Sequence, residues 1–151
     1  MIITERTKRV IALGDGDAKR VGAGCYYLDQ IVWLNGDHIE LGDRVGFNHG
    51  CYVNGYGGLL VGDDTIVGPG TMIHTANHNI GDLDRPIVEQ GWKAAPVHIG
   101  AGCWIGMGVC ILPGVRIGDA CVIGAGSVVA KDLDAYSVAV GNPAKAVRSR
   151  R

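Results

Sequence analysis

Every sixth residue from Ile99 to Val129 is apolar: Ile99, Ile105, Ile111, Ile117, Ile123 and Val129. Each opens a hexapeptide, IGAGCW, IGMGVC, ILPGVR, IGDACV, IGAGSV and VAKDLD, most of them of the form apolar–Gly–x–x–small–x. The same period runs earlier through Leu41, Phe47 and Val53, and again through Val61, Val67 and Ile73. A period of six matches neither the 3.6 of a helix nor the plain alternation of a strand in a two-layer sheet. It matches a triangular solenoid in which each unit is one short strand and a corner, three units make a coil, and coils stack.

The chemistry of the unit supports that reading. The opener points into the prism and stacks on its equivalent one coil away, at a strand spacing of about 4.8 Å. The fifth residue is small because it also faces inward near a corner: Val45, Cys51, Thr65, Thr71, Cys103, Val109, Val115, Cys121 and Ser127. Gly after the opener is expected to ease the backbone where it turns. A core of stacked aliphatics needs few aromatics, which accounts for 25 Gly beside one Phe. A flat-sheet sandwich with Gly-rich turns would not keep a six-residue register for six consecutive units.

The chain of 151 residues, 47% hydrophobic, is long enough to bury a core alone and reads as a single domain over 1–151. A net charge of −1 gives no sequence-independent attraction to nucleic acid. The opening MIITERTKRV lacks the apolar core of a signal peptide, and no apolar run approaches a membrane span. Five Cys without a CxxC argue for a reducing, cytoplasmic location. Cys103 and Cys121 would lie over one another in adjacent coils. They are within disulfide reach there, but read as space-filling thiols.

Residues 1–38 fit the register poorly and read as degenerate coils ending in a cap. The repeat is regular from His38 to Ile73 apart from a bulge at Asn54–Gly58, then breaks over residues 75–97 and resumes at Ile99. A coil cannot absorb that break, so it must project as a loop, and long ordered loops on rigid scaffolds commonly carry function. The tail over 140–151, with GNPAKAVRSRR, leaves the register; Pro143 followed by AKAVRSR reads as a turn into a short basic helix.

The phrases PVHIGAGCWIGMGVCILPGVRIGDACVIGAGSVVAKD (Pro96–Asp132) and VGNPAKAVRSR (Val140–Arg150) resemble the hexapeptide-repeat acyltransferases. The branch they resemble holds galactoside, maltose and polysaccharide O-acetyltransferases. WIG, the loop His and GNPAK occur together in the family's order, and the likeness runs from about residue 38 to 150. The resemblance implies an all-β fold, a left-handed parallel β-helix with a protruding active-site loop. It also implies a homotrimer, acetyl-CoA as donor and no metal.

Acyl transfer to a hydroxyl needs a base, because an alcohol is a weak nucleophile until its proton is being removed, and His titrates near neutral pH. His78, in HTANHNI, stands where the family has its catalytic His; from position alone it reads as a solvated loop residue, and the motif context is what favours the catalytic role. Asn48 falls on a family Asn that reaches the reacting centre, where an amide can donate to developing negative charge, although an Asn supporting a corner has the same sequence signature. His74 matches no catalytic residue of the family and reads as structural or acceptor-side.

For the donor, the resemblance points to Met107, Ala125, Ala130, Lys131, Lys145 and Arg148, with Trp104 of WIG as a wall of the groove. Ala125 and Ala130 would offer backbone groups to the pantetheine arm, and the three basic residues, expected near one edge, would hold phosphates. This chain departs from the pattern in three places. Tyr56 stands where galactoside enzymes carry an acidic sugar-binding residue, Met107 where a Ser often follows WIG, and Lys145 where some relatives have Arg.

The reaction implied is transfer of an acetyl group to a hydroxyl or amine of a sugar or sugar-bearing acceptor. Two other readings come from different classes. A γ-class carbonic anhydrase binds a metal with three His on a similar solenoid. It reads VGHGAMLHAC where this chain reads VGPGTMIHTA, so Pro69 replaces one ligand and only His49, His74 and His78 are left to converge. A non-catalytic solenoid scaffold would have no need of the loop.

Overall fold

The units fold as their period requires. In the computed structural model, which describes residues 10–151, the chain is a parallel β-solenoid of about six turns. Three parallel ladders form the faces of a prism. The first stacks Tyr26–Leu28, Gly46–Phe47, Ile66–Val67, Trp104–Ile105, Val122–Ile123 and Ser137–Gly141. The second stacks Val32–Leu34, Tyr52–Asn54, Met72–His74, Cys110–Ile111 and Val128–Val129. The third stacks Arg20–Val21, Ile39–Leu41, Leu59–Val61, Val97–Ile99 and Arg116–Ile117. Each coil passes from third face to first to second, so the coils already run at Arg20; the part of the 1–38 reading that falls on residues 1–9 lies outside the described residues.

The openers face inward and stack as expected. Phe47 pairs with Val67, Val67 with Ile105 and Ile105 with Ile123, and all four are at most 1% exposed. Burying each such side chain contributes about 1.5–3 kcal/mol. The small fifth residues are buried too, and Cys51, Thr65, Thr71 and Cys103 share one role. Cys51 Sγ donates to Gly68 O, Thr65 Oγ1 to Gly100 O, Thr71 Oγ1 to Gly106 O and Cys103 Sγ to Gly118 O. Each donates to the carbonyl of a second-position residue one coil on. The cysteines are all free thiols, and this hydrogen bond is what a thiol supplies that a disulfide would not.

The glycines after the opener have a different cause from the one expected. A methyl on Gly106 would stand 2.6 Å from the carbonyl oxygen of Ile123 and 2.7 Å from the amide nitrogen of Ala125, so Gly is required there because the next coil lies against it. The turn itself is made at the fourth position, where Gly108 has φ 62° and Ala120 adopts φ 56°.

Coil length changes along the stack. Leu41 pairs with Val61, twenty residues on, whereas Ile105 pairs with Ile123, eighteen residues on. The extra residues of the early coils sit between the second and third faces, at 35–38 and 55–58. The long insertion leaves from the same corner of the next coil. It is an ordered hairpin, with Ala76–His78 antiparallel to Trp92–Ala94.

Both ends of the first ladder are closed by antiparallel strands. Val10–Ala12 lies on Tyr26–Leu28 at one end. At the other, Ala144–Ser149 pairs back on Ser137–Gly141, matching Val140 to Lys145 and Val138 to Arg148. The short C-terminal helix expected from AKAVRSR is therefore a strand. The open edge of Ser137–Gly141 offers unpaired backbone groups, and pairing with it outweighs the local preference of the segment. Among the described residues no helix is long and apolar enough to cross a membrane.

Candidate functional site

The register places the candidate residues at two corners. Each first-face opener is followed two residues later by the residue at the first corner, between the first and second faces. Because Tyr27, Phe47, Val67, Ile105 and Ile123 stack, so do Asp29, His49, Pro69, Met107 and Ala125. Asn48 belongs to this corner; its Oδ1 accepts from the backbone N–H of His49 at 3.0 Å. Met107 and Ala125 are exposed, and the Met107 N–H has no partner among the described residues. Trp104 lies just before this corner on the first face, 59% exposed.

The second corner, between the second and third faces, carries the hairpin. Buried Thr75 roots it: its Oγ1 donates to Asn54 O at 2.9 Å and accepts from Gly57 N–H at 2.7 Å. The register then sets His78 opposite Trp92, and their rings lie 3.7 Å apart between centroids. Trp92 also packs near His74 and Tyr56, at 6.1 Å and 6.2 Å, and His74 stacks on Tyr52 at 6.0 Å. Gln90 organises the tip, accepting from Asp82 N–H and donating to Asp82 O and Arg85 O. Ala130 and Lys131 follow Val129 at this same corner, further along the stack.

The aromatic wall beside His78 was not assigned a role from sequence. Trp92 stands in an irregular insertion, and only the pairing of Ala76–His78 with Trp92–Ala94 shows that it faces His78. Tyr56 belongs to the same wall, which gives the departure from an acidic residue a structural context: an aromatic edge in place of a carboxylate.

The structure brings His78, Ala130 and Lys131 to one corner and Asn48, Met107 and Ala125 to another. A whole second face, on the order of 15 Å of extended chain, separates the two groups within one chain. The three basic residues are divided as well. Lys145 and Arg148 lie on the closing strand of the first face, while Lys131 lies at the second corner, so the expectation of one shared edge does not hold in a single chain. All three are exposed and have no carboxylate partner among the described residues.

His49, His74 and His78 do not converge as a metal set. His49 is at the first corner against Asp29, and the Trp92 ring packs against the other two. No group of three candidate ligands stands together among the described residues. An open groove of about 510 Å³ runs along the third face beside the hairpin root, lined in part by Lys19, His38, Glu40 and His98. It touches Tyr56 but not His78.

Residues 96–131 match the bacterial transferase hexapeptide family, described as six repeats. A Staphylococcus aureus protein provisionally named an acetyltransferase is 45% identical over 114 residues, 75% of this chain and 56% of that protein. The chain thus spans about half the length of the curated relatives it matches. A maltose O-acetyltransferase from Clostridium difficile 630 superposes with a TM-score of 0.78 at 36% identity, covering 86% of this chain and 68% of that one. A hexapeptide-repeat acetyltransferase of Vibrio cholerae, solved with acetyl-CoA, gives 0.70 at 29% identity, covering 85% and 72%.

Proposed function

Because the chain belongs to the hexapeptide-repeat acetyltransferase family, we propose that it moves an acetyl group from acetyl-CoA to a hydroxyl or amine of a sugar or sugar-bearing acceptor, with His78 as general base. The observation that carries this reading is the placement of His78. The insertion holds an exposed imidazole against Trp92 and clear of the coil, with ring nitrogens that have no hydrogen-bond partner among the described residues. A stack of coils alone has no use for such a group.

The donor track fits an extended thioester. From Pro69 onward the first corner is a row of small or aliphatic residues, with an N–H at Met107 that has no partner among the described residues, and cations lie toward the end of the stack on Lys145 and Arg148. The shared-corner geometry supports a homotrimer about a closed three-fold axis. One chain's second corner, with His78, Ala130 and Lys131, faces the next chain's first corner, with Asn48, Met107 and Ala125. Trp104 walls the cleft. Free thiols with no role in catalysis accord with a cytoplasmic setting.

In this arrangement His78 takes the acceptor's proton as its oxygen or nitrogen approaches the thioester carbonyl. The Met107 N–H, with Asn48 beside it, faces the charge that develops on the carbonyl oxygen, and a fixed donor there costs no reorganisation. His78 then returns the proton to the departing sulfur. No covalent enzyme intermediate is needed, and no Cys lies in the hairpin. Tyr56 and Trp92 offer flat apolar surface to the C–H face of a pyranose ring.

Acetyl-CoA binding by calorimetry, followed by turnover of His78→Ala, tests the reading. Micromolar binding unchanged by the substitution is expected, with kcat lowered by about two to four orders of magnitude, as for a positioned general base. A variant keeping more than half its turnover refutes the role of His78. Absence of binding favours a scaffold.

A further inference from the structure

At the head of the first-corner row, His49 Nδ1 lies 2.7 Å from Asp29 Oδ1 across adjacent coils. Both side chains are partly shielded, at 43% and 27% exposed. The other close pairs that bridge coils, Lys19–Glu40 and Arg44–Asp64, join long basic chains to carboxylates away from this corner. Here the basic partner is an imidazole, which differs in a consequential way. With Nδ1–H donated to a carboxylate, the ring is fixed in orientation and its opposite nitrogen, Nε2, carries the lone pair.

Its neighbours give that nitrogen a direction of use. Asn48 Oδ1 accepts from the His49 backbone N–H, so the corner's side-chain amide is held at the same turn of the chain as the imidazole. The rest of the row, Pro69, Met107 and Ala125, has no polar side-chain head. Polar heads are therefore confined to the end of the row away from Lys145 and Arg148, where the acceptor would enter. We infer that His49 is an acceptor-binding residue, its Nε2 accepting a hydrogen bond from a sugar hydroxyl next to the one that reacts, and that Asp29 is the residue positioning it. This rests on the acetyltransferase reading and its shared site.

Two substitutions separate this role from simple stitching of coils. In His49→Asn the amide nitrogen overlays Nδ1 and keeps the bond to Asp29, while nothing occupies the place of Nε2. His49→Gln places its amide near Nε2 instead. The panel is glucose, maltose, methyl β-galactoside and glucosamine, with CoA release as readout. For whichever sugar turns over, His49→Asn is expected to raise the acceptor KM tenfold or more, leave the acetyl-CoA KM within twofold and keep the wild-type melting temperature. His49→Gln is expected to recover part of the loss. A His49→Asn enzyme with wild-type acceptor KM overturns the inference.

Imidazole NMR of the CoA-bound protein gives a readout independent of turnover. Addition of the panel sugars is expected to shift His49 and His78 and to leave His38 and His98, in the third-face groove, unmoved. Shifts confined to His38 and His98, shifts at His78 without His49, or no shift at any ring while CoA is bound each overturn the inference alone. Failure of CoA to bind overturns the acetyltransferase reading beneath it.

Discussion

If each site is built from two chains, two inactive variants must rescue one another by a predictable amount. His78→Ala removes the base from the second corner and leaves the first corner whole. Ala125→Arg does the reverse, since Ala125 is exposed in the row that would carry the donor, and a long side chain there blocks the track without touching the core. Each homotrimer is then inactive at all of its sites. When equal amounts exchange subunits at random, a site works only where a second corner from the Ala125→Arg chain meets a first corner from the His78→Ala chain. That coincidence has probability one half times one half, so a closed ring with equivalent interfaces recovers about a quarter of wild-type activity. The assay is CoA release after mild denaturation and refolding of the mixture, with exchange verified by native mass spectrometry of differently tagged chains. Activity tracing the product of the two fractions, with its maximum at equal amounts, is expected. No activity in verified mixed trimers would show that both corners of one chain serve one site, and the two-corner argument would be wrong.

Three other outcomes follow from the same geometry. Replacing Lys145 and Arg148 together by Ala should raise the acetyl-CoA KM tenfold or more and leave the acceptor KM almost unchanged, as measured by initial rates; equal effects on both would mean lost assembly. Gly106→Ala should destabilise the fold by about 1–3 kcal/mol in urea titrations, because the added methyl meets backbone, and Gly108→Ala by only about 1 kcal/mol, because its cost is the left-handed φ alone; the reverse order would refute the stacking account of the second-position glycine. Burial pushes the Cys103 thiol up to about 11 and raises those of Cys51 and Cys121. Above pH 9 the unfolded chain therefore ionises thiols that the fold keeps protonated, the unfolded state binds fewer protons, and stability should fall between about pH 9 and pH 11; melting temperatures across that range check the slope, which Cys103→Ser should reduce.

Much of this molecule is written in units of six residues. Whether Ile105 faces inward and whether Cys103 must be small are each decided within a unit and its equivalent one coil away, so periodicity alone reveals them. The insertion after Ile73 is equally visible, because it interrupts the period, and the resemblance in WIG and GNPAK directs attention to His78 and to the cationic tail. Other features depend on partners that the repeat does not name. The tail AKAVRSR has the local character of a helix, yet it is a strand because Ser137–Gly141 leaves an open edge beside it. The glycine after an opener is legible as a glycine, but its cause, at Gly106 the backbone of the next coil 2.6 Å from where a Cβ would be, exists only once coils stack. Trp92 faces His78 through antiparallel pairing inside an irregular segment, and Asp29 meets His49 only because coils of twenty residues bring them into register. The sequence by itself determined the prism and pointed to the candidate site residues that the family resemblance names. The stacking of coils decided which corner each residue occupies, because side chains far apart in the chain acquire neighbours only when backbone hydrogen bonds set the register between coils.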